Sequence, residues 1–152
     1  MQVSHDKYDH VRERIKAHEG CRLKRYKDSM GVLTVGWGHA LTPDEIRHGT
    51  WDKISRAEAD AIFEGDFQTA LEQARKGFPV FWDDIGDARR GVLIEMVFQM
   101  GPYRVSRFKE MRSALAKKIY RKAAAEMIDS DWAEETPKRC FALALIMLTG
   151  QA

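Results

Sequence analysis

Apolar residues recur at spacings of three and four along most of the chain, a pattern typical of helices with one buried face. The first such stripe consists of Tyr8, Val11 and Ile15. It predicts a helix from about Ser4 to Glu19, with Ser4 as a suitable N-cap. Gly20 is the residue type expected just past the C-terminal end. Glu19 therefore falls in the last helical turn.

After Gly20 the pattern changes to Val, Leu, Thr, Tyr and Trp interrupted by glycines, which favours strands. Residues 29–31, with the sequence Ser-Met-Gly, predict a three-residue hairpin loop in which Gly31 takes the left-handed conformation. The segment up to His39 is therefore predicted to form a small hairpin or sheet.

The hairpin sets a register in which Asp28 faces Val32 and Tyr26 faces Thr34. The side chains of Asp28 and Thr34 then share one face as diagonal neighbours, roughly 7–8 Å apart. A water could be held between them. A β-bulge would change this parity, and in the alternative reading Asp28 only caps the turn while Thr34 is present as a strand former.

The return strand is predicted to alternate, with one face formed by Leu33, Val35, Trp37 and His39. On the opposite face Gly36 and Gly38 leave the backbone bare beside Thr34. Bare backbone permits close approach by a ligand, but glycines within strands also mark bends. The sequence leaves both readings open.

The rest of the chain is predicted to be helical. Residues 42–45 and 55–58 are capping-box patterns, and the second opens a long helix that ends before Pro79. Further helices are expected at 87–100, 105–115, 123–127 and 137–148. Because the last helix is apolar on all sides from Cys140 to Leu148, we expect it to lie in the core.

The predicted fold class is therefore α+β and mostly α, with a single domain over residues 1–152 that has two lobes. An N-terminal lobe at about residues 15–65 holds the small β-hairpin or sheet, and a long connecting helix follows. An all-α C-terminal lobe covers about residues 75–152, with the N-terminal helix packed on it. A cleft between the lobes is the expected ligand site.

Composition excludes several functional classes. The chain has 44% hydrophobic and 32% charged residues, which are values of a globular protein. No apolar run approaches the roughly 18 residues of a membrane-spanning helix, and no secretory signal is recognisable. A net charge of +2 does not require a nucleic-acid partner.

The cysteines lack the spacing of a metal site or of a disulfide framework. Cys21 and Cys140 are expected to be reduced thiols that pack as small hydrophobes, although a single bridge between them stays open. We expect no metal and no cofactor.

Two carboxylates and a hydroxyl in one short segment point to glycoside cleavage. That reaction uses one carboxyl to protonate the leaving oxygen and a second carboxylate on the other side of the sugar. Glu19 lies at the negative end of a helix dipole, which favours the protonated form that a general acid needs. A glutamate at a helix end is nevertheless common, so its position alone leaves a structural role open.

The run E-G-C-R-L-K-R-Y-K-D-S-M-G-V-L-T-V-G-W-G-H, residues 19–39, resembles the T-even-like phage lysozymes of glycoside hydrolase family 24. The matching elements are a Glu-Gly helix end, a Tyr-x-Asp strand end, a threonine on the return strand and Gly-x-Gly-His. Two later segments, residues 87–101 and 131–139, resemble the family's central helix and its C-terminal lobe motif. The resemblance covers nearly the whole chain.

By this resemblance Glu19 is the general acid, while Asp28 and Thr34 hold the attacking water. The implied substrate is the β-1,4 bond between N-acetylmuramic acid and N-acetylglucosamine in peptidoglycan. The resemblance also implies a monomeric phage endolysin that causes host cell lysis. It would stay in the host bacterial cytoplasm, without membrane insertion, until a separate holin gives it access to the cell wall.

Other positions gain expected roles from the same resemblance. His39 and Asp66 are expected to form a structural ion pair. Phe98 and Gln99 are expected to line the cleft floor, although for Phe98 a role in the core stays open as the alternative to sugar contact. Arg139 is expected to bind substrate and to reach Glu19, where its charge would favour the ionised carboxylate. The stretch between His39 and Ser55 is shorter than in the T-even pattern, and this puts the outer sugar subsites in doubt.

Three other functional readings stay open at this point. A lytic transglycosylase would use the glutamate but would need no bound water, so Asp28 and Thr34 argue against it. A non-catalytic peptidoglycan-binding module would have no need of all three polar residues. A nucleic-acid-binding helical protein would require more positive charge than this chain carries.

Overall fold

The computed structural model describes residues 6–152 and confirms the predicted α+β, mostly α, fold class. The helices are α1 (Asp9–Glu19), α2 (Pro43–Arg47), α3 (Arg56–Gly77), α4 (Gly86–Met100), α5 (Pro102–Ser106), α6 (Lys109–Ala116), α7 (Tyr120–Ile128), α8 (Asp131–Glu135) and α9 (Pro137–Thr149). The strands are β1 (Arg22–Lys27), β2 (Leu33–Gly36) and β3 (His39–Ala40). Residues Arg12–Thr69 form one compact unit, and Ala70–Ala152 form the other together with the described residues up to Val11.

Helix α1 begins at Asp9, so the predicted start near Ser4 is wrong; Ser4 itself lies outside the described residues. The carboxylate of Asp6 accepts a hydrogen bond of 2.8 Å from the backbone N–H of Tyr8. This local turn competes with helix formation, as is common for aspartate. The C-terminal end agrees with the prediction, at Glu19 followed by Gly20.

The sheet of the unit 12–69 is antiparallel in the order β1-β2-β3 and has the predicted hairpin register. Tyr26 pairs with Thr34, and the N–H of Asp28 donates to the carbonyl of Val32 at 2.9 Å. Gly31 has a φ of +80°, which is the left-handed conformation that the loop requires. A bulge lies in β1 between Arg22 and Tyr26, before this register begins, and so does not alter it.

The predicted alternation through His39 is wrong, because β2 ends at Gly36 and the chain turns back to form β3. His39 pairs with Val35 across this turn. Gly36 and Gly38 have φ values of +65° and +78°, conformations that favour glycine. A Cβ on Gly36 would lie 3.4 Å from Ile54 Cδ1, so this glycine faces the core and marks a bend.

One hydrophobic cluster of this unit consists of Val35, Leu41, Ile54 and Ala59, with Leu33, Trp37 and Cys21 packed against it. Both predicted capping boxes are confirmed. Thr42 and Glu45 exchange reciprocal hydrogen bonds at the start of α2, and Ser55 and Glu58 do the same at the start of α3. These caps satisfy backbone donors that a helix start leaves unpaired.

In the other unit α4 is buried from Gly91 to Val97. It ends at Met100, as predicted, and Gly101 caps it. The prediction of a single helix over residues 105–115 is wrong, because the chain forms two helices, α5 and α6, that are separated at Arg107 and Phe108. Phe108 has a non-helical ψ of 66°, and its ring packs edge-on against Trp132 at 6.4 Å between centroids. The tertiary contact accounts for the interruption.

Helix α9 is not buried on all sides, so the prediction for Cys140–Leu148 is wrong. One face is buried against α4, α7 and α8 through Cys140, Leu143, Ala144 and Met147. The opposite face exposes Phe141, Leu145 and Leu148 by 56%, 61% and 44%. The sequence shows that this helix is apolar, but the packing of the neighbouring helices determines which of its faces is buried.

The cysteines are free thiols, with Cys140 buried and Cys21 half-buried. Burial raises the pKa of the Cys140 thiol, and its Sγ contacts the carbonyl of Met127 at 3.3 Å. Within the described part of the chain no helix is both long and apolar enough to cross a membrane.

Candidate active site

Glu19 is placed by the end of α1. The N–H of Gly20 donates to the carbonyl of Lys16 at 2.9 Å, and Gly20 then leaves the helix with a φ of +69°. The half-buried Glu19 side chain lies on the turn between β2 and β3, directly over Gly38. A Cβ built on Gly38 would be 2.7 Å from Glu19 Oε2 and 3.1 Å from its Cδ. The carboxyl group therefore rests on bare backbone.

Asp28 is placed by the hairpin loop. Its Oδ1 accepts hydrogen bonds from the N–H groups of Met30 at 2.8 Å and Val32 at 2.9 Å. The carboxylate thus caps the turn, as one of the two sequence readings had it. These bonds also fix its orientation, and Oδ2 receives no hydrogen bond from any described residue. An exposed, oriented oxygen is available for a water or a substrate.

Thr34 lies in β2 and is only 4% exposed. Its hydroxyl donates to the carbonyl of Val32 at 2.9 Å. Because a hydroxyl has one proton and two lone pairs, this bond leaves Thr34 Oγ1 as a hydrogen-bond acceptor. Any water held at Thr34 must therefore donate a proton to it.

Tyr26 is a residue to which sequence reasoning gave no role, although it faces Thr34 in the register. Burial raises the pKa of its phenol, the Arg22 guanidinium opposes this, and the negative charges of Glu19 and Asp28 raise it further. The Arg22 guanidinium carbon lies 4.5 Å from the ring centroid. The phenol therefore experiences the field of both candidate catalytic carboxylates.

His39 is held by two carboxylates. Its Nδ1 lies 2.8 Å from Asp66 Oδ2, and its Nε2 lies 3.0 Å from Glu45 Oε1. The hydrogen bond to Asp66, opposed by burial and aided by Glu45, raises the pKa of His39 from 6.5 to about 9. With both nitrogens engaged and the ring protonated near neutral pH, His39 is unsuited to be a general base.

The partner Glu45 was missed by sequence reasoning. Besides His39, its carboxylate accepts hydrogen bonds from the N–H of Thr42 at 2.9 Å and from Trp51 Nε1 at 2.8 Å. Burial alone would raise the pKa of Glu45, but these bonds lower it to about 2. The capping box was the available signal, because it turns the Glu45 carboxylate back toward the preceding strand.

We expect the free energy of unfolding to fall by about 3 kcal/mol as the pH rises from 6 through 9. Because the pKa of His39 is raised in the folded state, its ion pairs add to the free energy of unfolding. This contribution is fully present below pH 6.5, the pKa in the unfolded state, and is lost as the pH passes about 9. The lowered pKa of Glu45 gives a contribution to the free energy of unfolding that is fully present above pH 4.5. It is lost as the pH falls toward about 2. Stability from this cluster should therefore be complete between these limits, at about pH 5–6.

Urea unfolding at pH 6 and pH 10 measures this effect. A His39→Gln variant should lose most of the difference between the two pH values. His48→Gln is the matched control, because His48 is an exposed histidine that bonds only a backbone carbonyl. Equal pH dependence in wild type and His39→Gln would contradict the assignment.

The remaining predicted site residues belong to the unit that contains α4 and α9. Gln99 Oε1 accepts from Trp132 Nε1 at 2.9 Å, and Gln99 Nε2 lies 3.4 Å from Thr136 Oγ1. Trp132 is fully buried. Phe98 is half-buried on the same helix as Gln99. Gln99 therefore connects α4 with α8 and α9.

Arg139 is 8% exposed and its Nε lies 2.7 Å from Oε2 of Glu95, which is completely buried. Glu95 was missed, although a lone carboxylate inside the apolar run 91–97 was the signal that a cation must pair with it. The ion pair holds the Arg139 guanidinium at the start of α9.

Comparison with known families defines the class of this protein as a lysozyme-type glycosidase that hydrolyses the cell wall, and the α+β, mostly α, fold is consistent with this class. The chain belongs to the phage lysozyme family, whose model matches residues 16–144. The predicted resemblance to T-even-like phage lysozymes is thereby confirmed.

Individual relatives extend the match over most of the chain. "Probable T4-type lysozyme 2" of Dictyostelium discoideum is 29% identical over 92% of this chain and 94% of its own length. The pre-baseplate central spike protein Gp5 of Enterobacteria phage T4 is 30% identical over 91% of this chain, which corresponds to 27% of that longer protein. A SAR-endolysin of Bacteriophage PS119 is 37% identical over 55% of this chain and 46% of its own length.

Proposed function

We propose that the protein is an endolysin-type muramidase that hydrolyses the β-1,4 bond between N-acetylmuramic acid and N-acetylglucosamine. In this proposal Glu19 is the general acid, and Asp28 and Thr34 position the attacking water. The observation that carries it is the hairpin register, which pairs Tyr26 with Thr34 and brings Asp28 opposite Val32. Strand parity then directs Asp28 and Thr34 to one face.

The first step is protonation of the leaving group. Glu19 in its protonated form donates to the oxygen that joins the two sugars, and the bond breaks through an oxocarbenium-like state. The negative charge of Asp28 stabilises the positive charge that develops on the sugar ring. The exposure of the Asp28 carboxylate is compatible with this contact.

The hydrogen-bond inventory supports a specific orientation of the water. Asp28 Oδ2 and Thr34 Oγ1 are both acceptors, because the Thr34 proton is given to the Val32 carbonyl. A water between them would donate one hydrogen bond to each, its lone pair would remain free to attack the anomeric carbon, and Asp28 would take up the proton that the water loses. Attack by a water on the face opposite the leaving oxygen inverts the configuration.

The remaining expectations from the sequence are part of this proposal. Phe98, Gln99 and Arg139 are proposed to contact the glycan, and His39 with Asp66 to support the fold. The endolysin relatives motivate a role in host lysis, in which the monomeric protein is held in the host cytoplasm and depends on a separate holin. Its partner is peptidoglycan.

A lytic transglycosylase remains the second candidate, because it would use the same glutamate and substrate. The two reactions leave different products, a reducing N-acetylmuramic acid for hydrolysis and an anhydro sugar for transglycosylation. The Thr34 geometry favours hydrolysis, since a transglycosylase has no attacking water to orient.

Mass spectrometry of digested, purified peptidoglycan distinguishes the candidates. We expect fragments that end in reducing N-acetylmuramic acid. Anhydromuramic ends would support transglycosylation, and fragments ending in reducing N-acetylglucosamine would place the cleavage at the other glycosidic bond. An undigested polymer, with the protein bound to it, would indicate the non-catalytic binding module.

A further inference from the structure

The two glycines around Trp37 have similar backbone conformations but different surroundings. Gly36 and Gly38 have φ values of +65° and +78°. A Cβ on Gly36 would make ordinary contacts of 3.4 and 3.5 Å with Ile54 and Ala59. A Cβ on Gly38 would be 2.7, 3.1 and 3.2 Å from Oε2, Cδ and Cγ of Glu19. Only Gly38 has the glutamate lying directly on it.

The backbone at Gly38 is held by the residues on both sides. The Trp37 indole N–H donates to Asp60 Oδ1 at 2.8 Å, and Lys16 and Arg56 lie 5.2 and 4.5 Å from its ring centroid. On the other side His39 is bound to Asp66 and Glu45. Because both neighbours are anchored, the turn has little freedom to move away from a new side chain.

We propose that Gly38 is a positioning residue for Glu19, whose carboxyl group is located by contact with the bare backbone of this turn. The inference rests on the proposed role of Glu19 as general acid. A methyl group at position 38 would occupy the place of the carboxyl, and the flexible glutamate side chain would move instead of the anchored turn. Catalysis would then fail because proton donation requires hydrogen-bond reach to the glycosidic oxygen.

Gly38→Ala and Gly36→Ala form a matched pair. Both place alanine at a positive φ, so both should lower the melting temperature by a few degrees, and Gly38→Ala should lower it further because its methyl group overlaps Glu19. Gly38→Ala should also lower kcat about 100-fold, the effect of displacing a catalytic group by about 1 Å, with KM nearly unchanged. Gly36→Ala should keep wild-type kcat, because its methyl group would meet Ile54 and Ala59.

Two further measurements distinguish an effect of the contact between position 38 and Glu19 from an effect of general unfolding. The Tyr26 phenol pKa is sensitive to the charge of Glu19, so NMR titration of labelled tyrosine should show a change in Gly38→Ala and none in Gly36→Ala. In a Glu19→Ala background the overlap is absent, and Gly38→Ala should then lower the melting temperature only as much as Gly36→Ala does.

The outcomes separate this proposal from the proposed function. If Glu19→Gln is inactive and Gly38→Ala has the kcat and Tyr26 pKa of Gly36→Ala, the positioning role is overturned while the acid assignment stands. If Glu19→Gln keeps wild-type activity, the acid assignment itself is wrong. If Gly38→Ala does not fold even in the Glu19→Ala background, contact with Glu19 is not the reason for glycine, and the positioning role is again overturned.

Discussion

Glu19→Gln is expected to lower kcat about 10²–10⁴-fold, the range for loss of a general acid. Glutamine has the size and shape of glutamate, so it can keep the same place over Gly38 at the end of α1. Its amide, however, cannot give a proton to the leaving oxygen. The loss should therefore appear in the rate and leave the thermal transition in place.

The rate of release of reducing ends from purified peptidoglycan measures this effect. Glu13→Gln is the matched control, because it makes the same chemical change at an exposed position of the same helix. It should retain wild-type kcat and melting temperature. If both variants were equally active, Glu19 would not be the acid and the proposed mechanism would be wrong.

Asp28→Asn is expected to lower kcat about 10²–10³-fold, the magnitude observed when one electrostatic stabiliser of a transition state is removed. The asparagine side-chain oxygen can still accept from the N–H groups of Met30 and Val32. The turn should therefore stay closed while the negative charge is lost. The neutral amide would neither attract the water proton nor stabilise the cationic sugar.

Comparison with Asp28→Ala separates the two functions of this residue. Alanine removes both the charge and the turn bonds, so it should be as inactive as asparagine and should also melt at a lower temperature. Circular dichroism melts and steady-state rates on the two variants give both quantities. An Asp28→Asn protein with wild-type kcat would show that the residue only caps the turn.

The hairpin, the C-terminal end of α1 and the starts of α2 and α3 could be predicted from sequence because their causes are local. Gly20 and Gly31 supply left-handed conformations at the helix end and in the loop. The capping boxes at Thr42 and Ser55 connect residues only three positions apart. In each of these cases the interacting residues lie within a few positions of one another. The sequence alone therefore predicts the structure without knowledge of the tertiary contacts.

Charged partners of the predicted site residues were the main omissions. Glu95 and Arg139 are 44 residues apart, and nothing local to either indicates the other. Asp66 was paired with His39 through the family resemblance, whereas Glu45, for which no such resemblance was available, was missed. Buried charges signal that a partner must exist, but they do not say where it lies.

The errors in β2 and α9 share a physical origin. Periodicity shows which side chains are apolar, but the surrounding elements decide whether a face is covered and where a strand must turn. The strand β2 ends at Gly36, where a positive φ of +65° turns the backbone. Phe141 and Leu145 stay exposed because the neighbouring helices pack only on the other side of α9.

The central claim, that a water held by Asp28 and Thr34 attacks the anomeric carbon, is tested most directly by the configuration of the first product. Proton NMR of a peptidoglycan digest within its first minutes, before mutarotation equilibrates the anomers, reports this configuration. We predict the α-anomer of N-acetylmuramic acid, inverted from the β-linked substrate. Initial formation of the β-anomer would mean retention through a second displacement, and would contradict direct attack by a water between these two side chains.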